Sequence, residues 1–112
     1  EEARRTIFIS GTAAIRGYAT LAPGDTASQL ITTLDNLRGI SEVCDLGPDL
    51  GADHGLRRHF KIYLRHAIDL PLVAAALETH LLQPGDLVSY LHAPICRAPL
   101  NVEIEATLWS GA

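Results

Sequence analysis

The chain has 112 residues, of which 47% are hydrophobic and 20% charged, and its 13 acidic and 9 basic side chains give a formal charge of −4. A chain of this length buries roughly two thirds of the surface of its unfolded form, so residues 1–112 are expected to form a single domain. The acidic balance, with no run of Lys or Arg longer than two residues, argues against binding to nucleic acid.

No segment is typical of a membrane span or of a secretory signal. The longest apolar stretch, Leu70 to Leu82, has 13 residues and contains Glu78 and His80, whereas a membrane helix needs about 20. The N-terminus begins with two acids and lacks a cleavage region of small residues. Cys44 and Cys96 are interpreted as thiols. These features predict a soluble, cytoplasmic protein with no membrane partner.

The first elements of the chain are predicted to be strands followed by a helix. β-Branched and aromatic residues in Thr6–Ile9 favour a strand, and Tyr18–Leu21 is a candidate hairpin arm that pairs back. Asp25 begins a predicted helix that reaches Arg38 and is ended by Gly39. Its apolar face has helical spacing: Ala27, Leu30, Ile31, Leu34 and Leu37.

The middle of the chain is predicted to be a loop, a strand and a second helix. Ser41–Gly55 carries three glycines and four acids, and a loop of this length is expected to form a wall or lid of a cleft. Alternating apolar and polar residues in His59–Arg65 predict a half-buried strand. Asp69 begins a second helix to Leu82 with an apolar face of four residues: Val73, Ala76, Leu77 and Leu81.

Two further strands are predicted, Leu87–Leu91 and Val102–Leu108. Along the second, apolar residues alternate with a polar row that includes Glu103 and Glu105. The interleaved order of strands and helices predicts an α+β fold, in which two helices pack on one face of a mixed sheet and the strand of Glu103 is internal.

The residue types alone leave the chemistry open. Glu103 and Glu105 share one face of a strand, where two carboxylates raise each other's pKa if the face is enclosed and otherwise form an ordinary solvated surface. The five histidines lack the spacing of a zinc site, and no Gly-rich phosphate loop is present. No metal or other cofactor is therefore predicted.

Three segments together carry a resemblance to a known family: Ser10 to Ile15, Lys61 to Arg65, and Ile95 to Ala106. They resemble the C-terminal half of the chorismatases, the chorismate-cleaving enzymes of polyketide starter-unit pathways. That half in turn resembles the YjgF/Rid (chorismate-mutase-like) domain, which commonly forms trimers with ligand clefts between subunits. The resemblance therefore implies a YjgF/Rid-like fold and a homotrimer.

The resemblance also implies an activity and the residues that perform it. Glu103 corresponds to the general acid that protonates the methylene carbon of the enolpyruvyl ether, so that the C–O bond breaks and pyruvate is lost. Cys96 and Gly11 match the branch of the family that yields 3-hydroxybenzoate. Apart from the resemblance, Cys96 could equally be a buried hydrophobe and Gly11 a bulge glycine.

Further residues are candidates for binding a small carboxylate substrate. Arg97, Arg65 and Arg16 could clamp its carboxylates, although a surface ion pair is the more frequent fate of an arginine. Tyr63 and Tyr90 could donate hydrogen bonds to it, and Glu105 could tune the pKa of the acid. Packing on a sheet is the alternative for either tyrosine.

Two other functions remain open at this point. A Rid-type imine deaminase has an arginine ahead of the last strand, and the corresponding place near Tyr90 holds none. A non-catalytic trimeric domain could instead bind a metabolite or support a partner chain. A full chorismatase resembles two such domains, so the site could also be shared with a partner half-domain.

Overall fold

A computed structural model describes residues 5–16, 19–20, 25–95 and 99–110. The elements are β1 (Thr6–Thr12), β2 (Ile15–Arg16), β3 (Ala19–Thr20), α1 (Thr26–Val43), β4 (Leu56–Leu64), α2 (Leu70–His80), β5 (Leu87–His92) and β6 (Val102–Ser110). Four of the strands form one sheet in the order β1-β6-β4-β5. Only the β4–β5 pair among these is parallel, so the sheet is mixed and β6 is internal, as predicted.

The core lies between one face of this sheet and the two helices. Alternate residues of β6 are fully buried, and they pack with side chains of β4, α1 and α2. The buried members from β6 and the helices are Leu30, Leu37, Val73, Leu77, Val102, Ile104, Ala106 and Leu108. The helices thus cover a single face, and the predicted α+β fold is confirmed.

The first helix begins where the sequence predicts but ends later. Asp25 is its N-cap, and the carboxylate accepts a hydrogen bond from the backbone N–H of Ser28. The helix continues through Gly39 to Val43, so the prediction that Gly39 ends it is wrong. The left-handed conformation that terminates a helix occurs instead at Asp45, whose φ is 57°.

The buried side of α1 differs from the predicted apolar face. Ile31 is 71% exposed, whereas the polar side chains of Gln29, Thr33 and Ser41 are fully buried. Each of these three makes hydrogen bonds; Thr33, for example, donates to the carbonyl of Gln29 at 2.7 Å. Buried polar groups are stable when paired in this way.

The segment after α1 is firmly attached to the body of the protein. Leu46 and Leu50 are buried in the core, and the hydroxyl of Ser41 accepts from the N–H of Leu50 at 3.0 Å. Arg58, 1% exposed, donates to the carbonyl of Asp49 at 2.7 Å and pairs with the carboxylate of Asp86. The segment predicted to be a loop and a wall or lid of a cleft is a packed set of turns with a short 3₁₀ turn at Ala52–His54, and Val43 and Cys44 line a groove.

The second helix is shorter than predicted and ends at His80. Asp69 stands at its N-cap, but its carboxylate accepts from the hydroxyl of Thr26 at 2.8 Å and makes no capping bond to its own helix. Pro71 lies in the first turn, where its missing N–H costs nothing. Within the described ranges, neither helix is long and apolar enough to cross a membrane.

The predicted hairpin is present as a small second sheet. β2 pairs antiparallel with β3, Ile15 standing opposite Thr20. Just before it, the register of β1 against β6 shifts between Ile9 and Thr12, which is the signature of a β-bulge. This bulge contains Gly11 and sets the geometry of the candidate site.

Candidate functional site

The face of the sheet that no described helix covers carries a row of polar side chains. On β6 it presents Glu103 and Glu105, which are half-buried and point away from the core as the alternation predicts. The neighbouring strand β4 places Tyr63 opposite Glu103 and Lys61 opposite Glu105. These residues form what we call the open face, and the two acids are at its centre.

Gly11 lies directly against the carboxyl group of Glu103. A Cβ atom added at Gly11 would stand 2.6 Å from both Cδ and Oε2 of Glu103, closer than real side-chain contacts allow. The φ angle of Gly11 is outside the left-handed region, so the glycine is required by this approach and not by backbone conformation. The general-acid candidate and one of the two branch-specific residues that the resemblance identifies are thus adjacent.

The environment of Glu103 favours its protonated form. Partial burial raises the pKa of the Glu103 carboxyl above its ordinary value, and the negative charge of Glu105 raises it further. No described residue donates a hydrogen bond to this carboxyl. Glu103 therefore holds a proton to higher pH than an exposed glutamate and has an oxygen available to a ligand.

Tyr63 connects the second acid to the same site. Its hydroxyl donates to Oε2 of Glu105 at 3.3 Å, and partial burial, followed by the charge of Glu105, raises the pKa of Tyr63. The ring also packs against a small apolar cluster that includes Ala14 and Leu100. Tyr63 therefore remains neutral at physiological pH and orients Glu105.

Arg65 contacts backbone carbonyls. Its Nε donates to the carbonyl of Leu100 at 2.8 Å, and one terminal nitrogen donates to the carbonyl of Ile95 at 2.6 Å. Ile95 precedes and Leu100 follows residues 96–99, so Arg65 holds the described residues just before β6 to those at the other end of this stretch. Cys96 and Arg97 lie outside the described residues, as does the side chain of Arg16.

A second brace on this segment was missed from the sequence. The Nε2 of Gln29 donates to the carbonyl of Pro99 at 2.7 Å, and its Oε1 accepts from the N–H of Asn101 at 2.7 Å. The side chain of Asn101 donates in turn to the hydroxyl of Thr26. The sequence signal for this brace was a polar residue, Gln29, on the buried side of a helix. Its hydrogen-bond partners could not be identified from the sequence, because they lie about 70 residues away in the chain.

One sequence-based candidate lies on the wrong side of the sheet. Tyr90 packs against the core beneath the helices, where burial raises the pKa of its hydroxyl, so it does not share the open face with Glu103.

An apolar groove of about 750 Å³ runs between β1 and α1, and Gly11 is among the residues that line it. Among the described residues, no three His, Cys, Asp or Glu side chains are placed to hold a metal ion.

Comparisons with known proteins give the family context of this site. The chain is 33% identical over 105 residues to 3-hydroxybenzoate synthase of Streptomyces hygroscopicus, a match that covers 91% of the chain and 31% of that protein. Its structure matches a crystal structure of chorismatase with a TM-score of 0.74 and 30% identity, covering 92% of the chain and 32% of the chorismatase. No family model matches the sequence.

A Rid protein has the same fold over most of its length. The structure of RidA from an Antarctic Psychrobacter species matches with a TM-score of 0.74 at 18% identity, covering 93% of this chain and 80% of that one. The YjgF/Rid-like fold and the resemblance to chorismatases are therefore confirmed. The chain spans about a third of the length of the chorismatase-type relatives it matches.

Proposed function

We propose that the chain is the acid-bearing part of a chorismatase-like enzyme, which cleaves the enolpyruvyl ether of chorismate to pyruvate and 3-hydroxybenzoate. Chorismate contains the same atoms as these two products together, so the reaction needs no oxidant, reductant or further reactant. Glu103 gives its proton to the methylene carbon of the enol ether. The C–O bond to the ring then breaks, and its electron pair leaves with the three-carbon fragment as pyruvate. The ring hydroxyl oxygen takes the vacated carbon, and the ring loses one proton as it becomes aromatic 3-hydroxybenzoate, so the carboxylate left on Glu103 can be reprotonated.

The observation that carries this proposal is the state of Glu103. Protonation of an enol ether on carbon needs a donor that still carries its proton, and partial burial and the charge of Glu105 raise the pKa of Glu103 in the direction that this step needs. Because Gly11 has no Cβ, the Glu103 carboxyl can lie directly against β1, in space that any larger residue would fill. General acid catalysis of this kind typically contributes about 10²- to 10⁴-fold to a rate.

The other residues have supporting roles in the proposal. Gly11 and Cys96 shape the surroundings of the ring and select 3-hydroxybenzoate as the product. Arg97 pairs with a substrate carboxylate, which a planar guanidinium matches with two hydrogen bonds. The contacts of Arg65 with the carbonyls of Ile95 and Leu100 support a role in holding the described residues that precede and follow Cys96 and Arg97 in the chain.

The proposed assembly is a homotrimer, with the open face toward neighbouring subunits and the substrate clefts between them. Apolar side chains on this face support the proposal: Phe8 is 60% exposed, Leu87 53% and Leu91 40%. A partner half-domain, in the same chain or in another one, is an alternative occupant of the same face. Light scattering at micromolar concentrations distinguishes a trimer from a stable monomer, which would contradict the proposed assembly.

The reaction is tested by incubating the purified protein with chorismate and separating the products by chromatography. We expect pyruvate and 3-hydroxybenzoate in equal amounts, in excess of a heat-denatured control. Unchanged chorismate at all protein concentrations would contradict the proposal and favour a non-catalytic binding domain.

A further inference from the structure

Lys61 occupies an unusual place on the open face. It stands on the internal strand β4, between Glu105 of β6 on one side and Ser89 of β5 on the other. It makes no ion pair or hydrogen bond with any side chain in the described part of the protein, although Glu105 is its direct neighbour. The hydroxyl of Tyr63 binds Glu105 instead.

A second polar pair adjoins Lys61. The Nε2 of His59 and the hydroxyl of Ser89 are hydrogen-bonded at 3.0 Å across β4 and β5. Both side chains are half-buried, and Ser89 is the register partner of Lys61. Lys61 and Ser89 are therefore register neighbours on the open face, and no ion pair joins Lys61 to either acid in the described part of the protein.

We propose that Lys61, with Ser89 held by His59, is a binding subsite for the ring carboxylate of the substrate. This inference rests on the proposed function, because the ligand is the cyclic carboxylate whose ether Glu103 protonates. Tyr63 is the residue of β4 that stands opposite Glu103, and Lys61 lies two residues away from it on the same strand. Two residues span about 7 Å along a strand. That separation suits a single six-membered ring with its ether at Glu103 and its carboxylate at Lys61.

The ring carboxylate of the substrate should prefer this position because Lys61 offers it a positive charge. Arg65 is bound to the carbonyls of Ile95 and Leu100, so Lys61 is the cation that the described part of the open face presents beside the acids. In the proposed subsite Nε2 of His59 donates to the oxygen of Ser89, which leaves the hydroxyl proton for the ligand. A carboxylate at this point then pairs with the Lys61 ammonium and accepts from the Ser89 hydroxyl, and such charge-assisted hydrogen bonds are the strong class.

The test measures binding of a ring carboxylate without requiring turnover. Isothermal titration calorimetry with 3-hydroxybenzoate is run on the parent and on Lys61→Met, and 3-hydroxybenzamide serves as the uncharged probe. Arg57→Met is the matched control, since Arg57 lies on the same face of β4, lies over the ring of Trp109 and is four residues farther from the acids. Light scattering on every variant checks that the assembly is unchanged.

We expect Lys61→Met to weaken binding of 3-hydroxybenzoate by about tenfold or more, and Arg57→Met by less than about twofold. Binding of the amide should be equal in all three proteins. Equal affinity of Lys61→Met and the parent for 3-hydroxybenzoate, or no binding to the parent at all, would overturn the subsite. A changed mass of Lys61→Met would overturn it as well, because the loss of binding would then follow from a disrupted cleft between subunits and not from the lost ammonium.

The subsite and the proposed reaction can fail separately. If binding of 3-hydroxybenzoate depends on Lys61 while the parent releases no pyruvate from chorismate, the reaction is wrong and the subsite stands. If the parent cleaves chorismate and Lys61→Met does so with unchanged KM and kcat, the subsite is wrong and the reaction stands.

Discussion

Replacing Gly11 with alanine should disable the site while leaving the fold intact. The new Cβ would stand 2.6 Å from Cδ and Oε2 of Glu103, whereas ordinary contact begins at 3.4 Å. The carboxyl must therefore move by about 0.8 Å, or β1 must move by a similar distance. Because the obstacle is the end of a flexible, half-buried side chain, we expect a loss of stability of only about 1 kcal/mol, at the low end for overpacking.

The effect on catalysis should be much larger than the effect on stability. A misplacement of about 1 Å at a reacting group costs on the order of 10²-fold in rate, which corresponds to about 2.7 kcal/mol of barrier. The assay is pyruvate release from chorismate, measured together with thermal unfolding. Gly11→Ala should lose about 10²-fold in turnover with a melting temperature close to that of the parent.

Gly39→Ala is the matched control for this prediction. In the described structure an added Cβ at Gly39 meets nothing within 4 Å, and the residue lies inside α1. Alanine there should stabilise the helix by about 0.5 to 1 kcal/mol without affecting turnover. The reasoning is refuted if folded Gly11→Ala turns over chorismate as fast as the parent, or if Gly39→Ala loses as much activity.

Two further predictions concern stability. Arg58→Ala should destabilise the protein by about 3 to 5 kcal/mol, because it leaves the buried carboxylate of Asp86 without its ion-pair partner. Arg38→Ala, which removes an exposed pair with Asp35, should cost less than about 1 kcal/mol. Similar denaturant midpoints for the two variants would contradict this prediction. The raised pKa of Glu103 adds stability that is present below the ordinary value of 4.5 and is lost as the pH rises through the folded-state pKa. At pH 7 the parent must hold a charged carboxylate that burial disfavours, so Glu103→Gln should melt at a higher temperature than the parent at pH 7 but not at pH 4. A lower melting temperature of Glu103→Gln at pH 7 would contradict this, because it would show that the folded protein stabilises the charged carboxylate.

The strands and the placement of the acids could be predicted because both depend on local patterns. Alternation in Val102–Leu108 fixes which side chains face the core, so Glu103 and Glu105 must share the other face. The same rule places Arg58 on the buried side with Phe60 and Ile62, which was a readable signal for a buried ion pair. What alternation does not supply is the partner, because Asp86 lies on a separate turn.

Long-range polar contacts explain most of what the sequence did not predict. The helical spacing of apolar residues points to Ile31, but α1 is rotated so that Gln29 reaches the carbonyl of Pro99 and the N–H of Asn101. Arg65 suggests a carboxylate clamp by residue type alone, and its contacts with the carbonyls of Leu100 and Ile95 are supplied by the fold. In both cases the partners are brought near by the fold and leave no periodic trace in the sequence.

The central claim, that Glu103 is the general acid, is tested most directly by comparing turnover of chorismate by Glu103→Gln and Glu105→Gln. Both substitutions remove one carboxylate from the same face of β6, so they share any effect of lost charge. We predict that Glu103→Gln keeps its fold and its affinity for 3-hydroxybenzoate but loses about 10²-fold or more in turnover, and that Glu105→Gln loses less. A Glu103→Gln protein that releases pyruvate as fast as the parent would contradict the assignment.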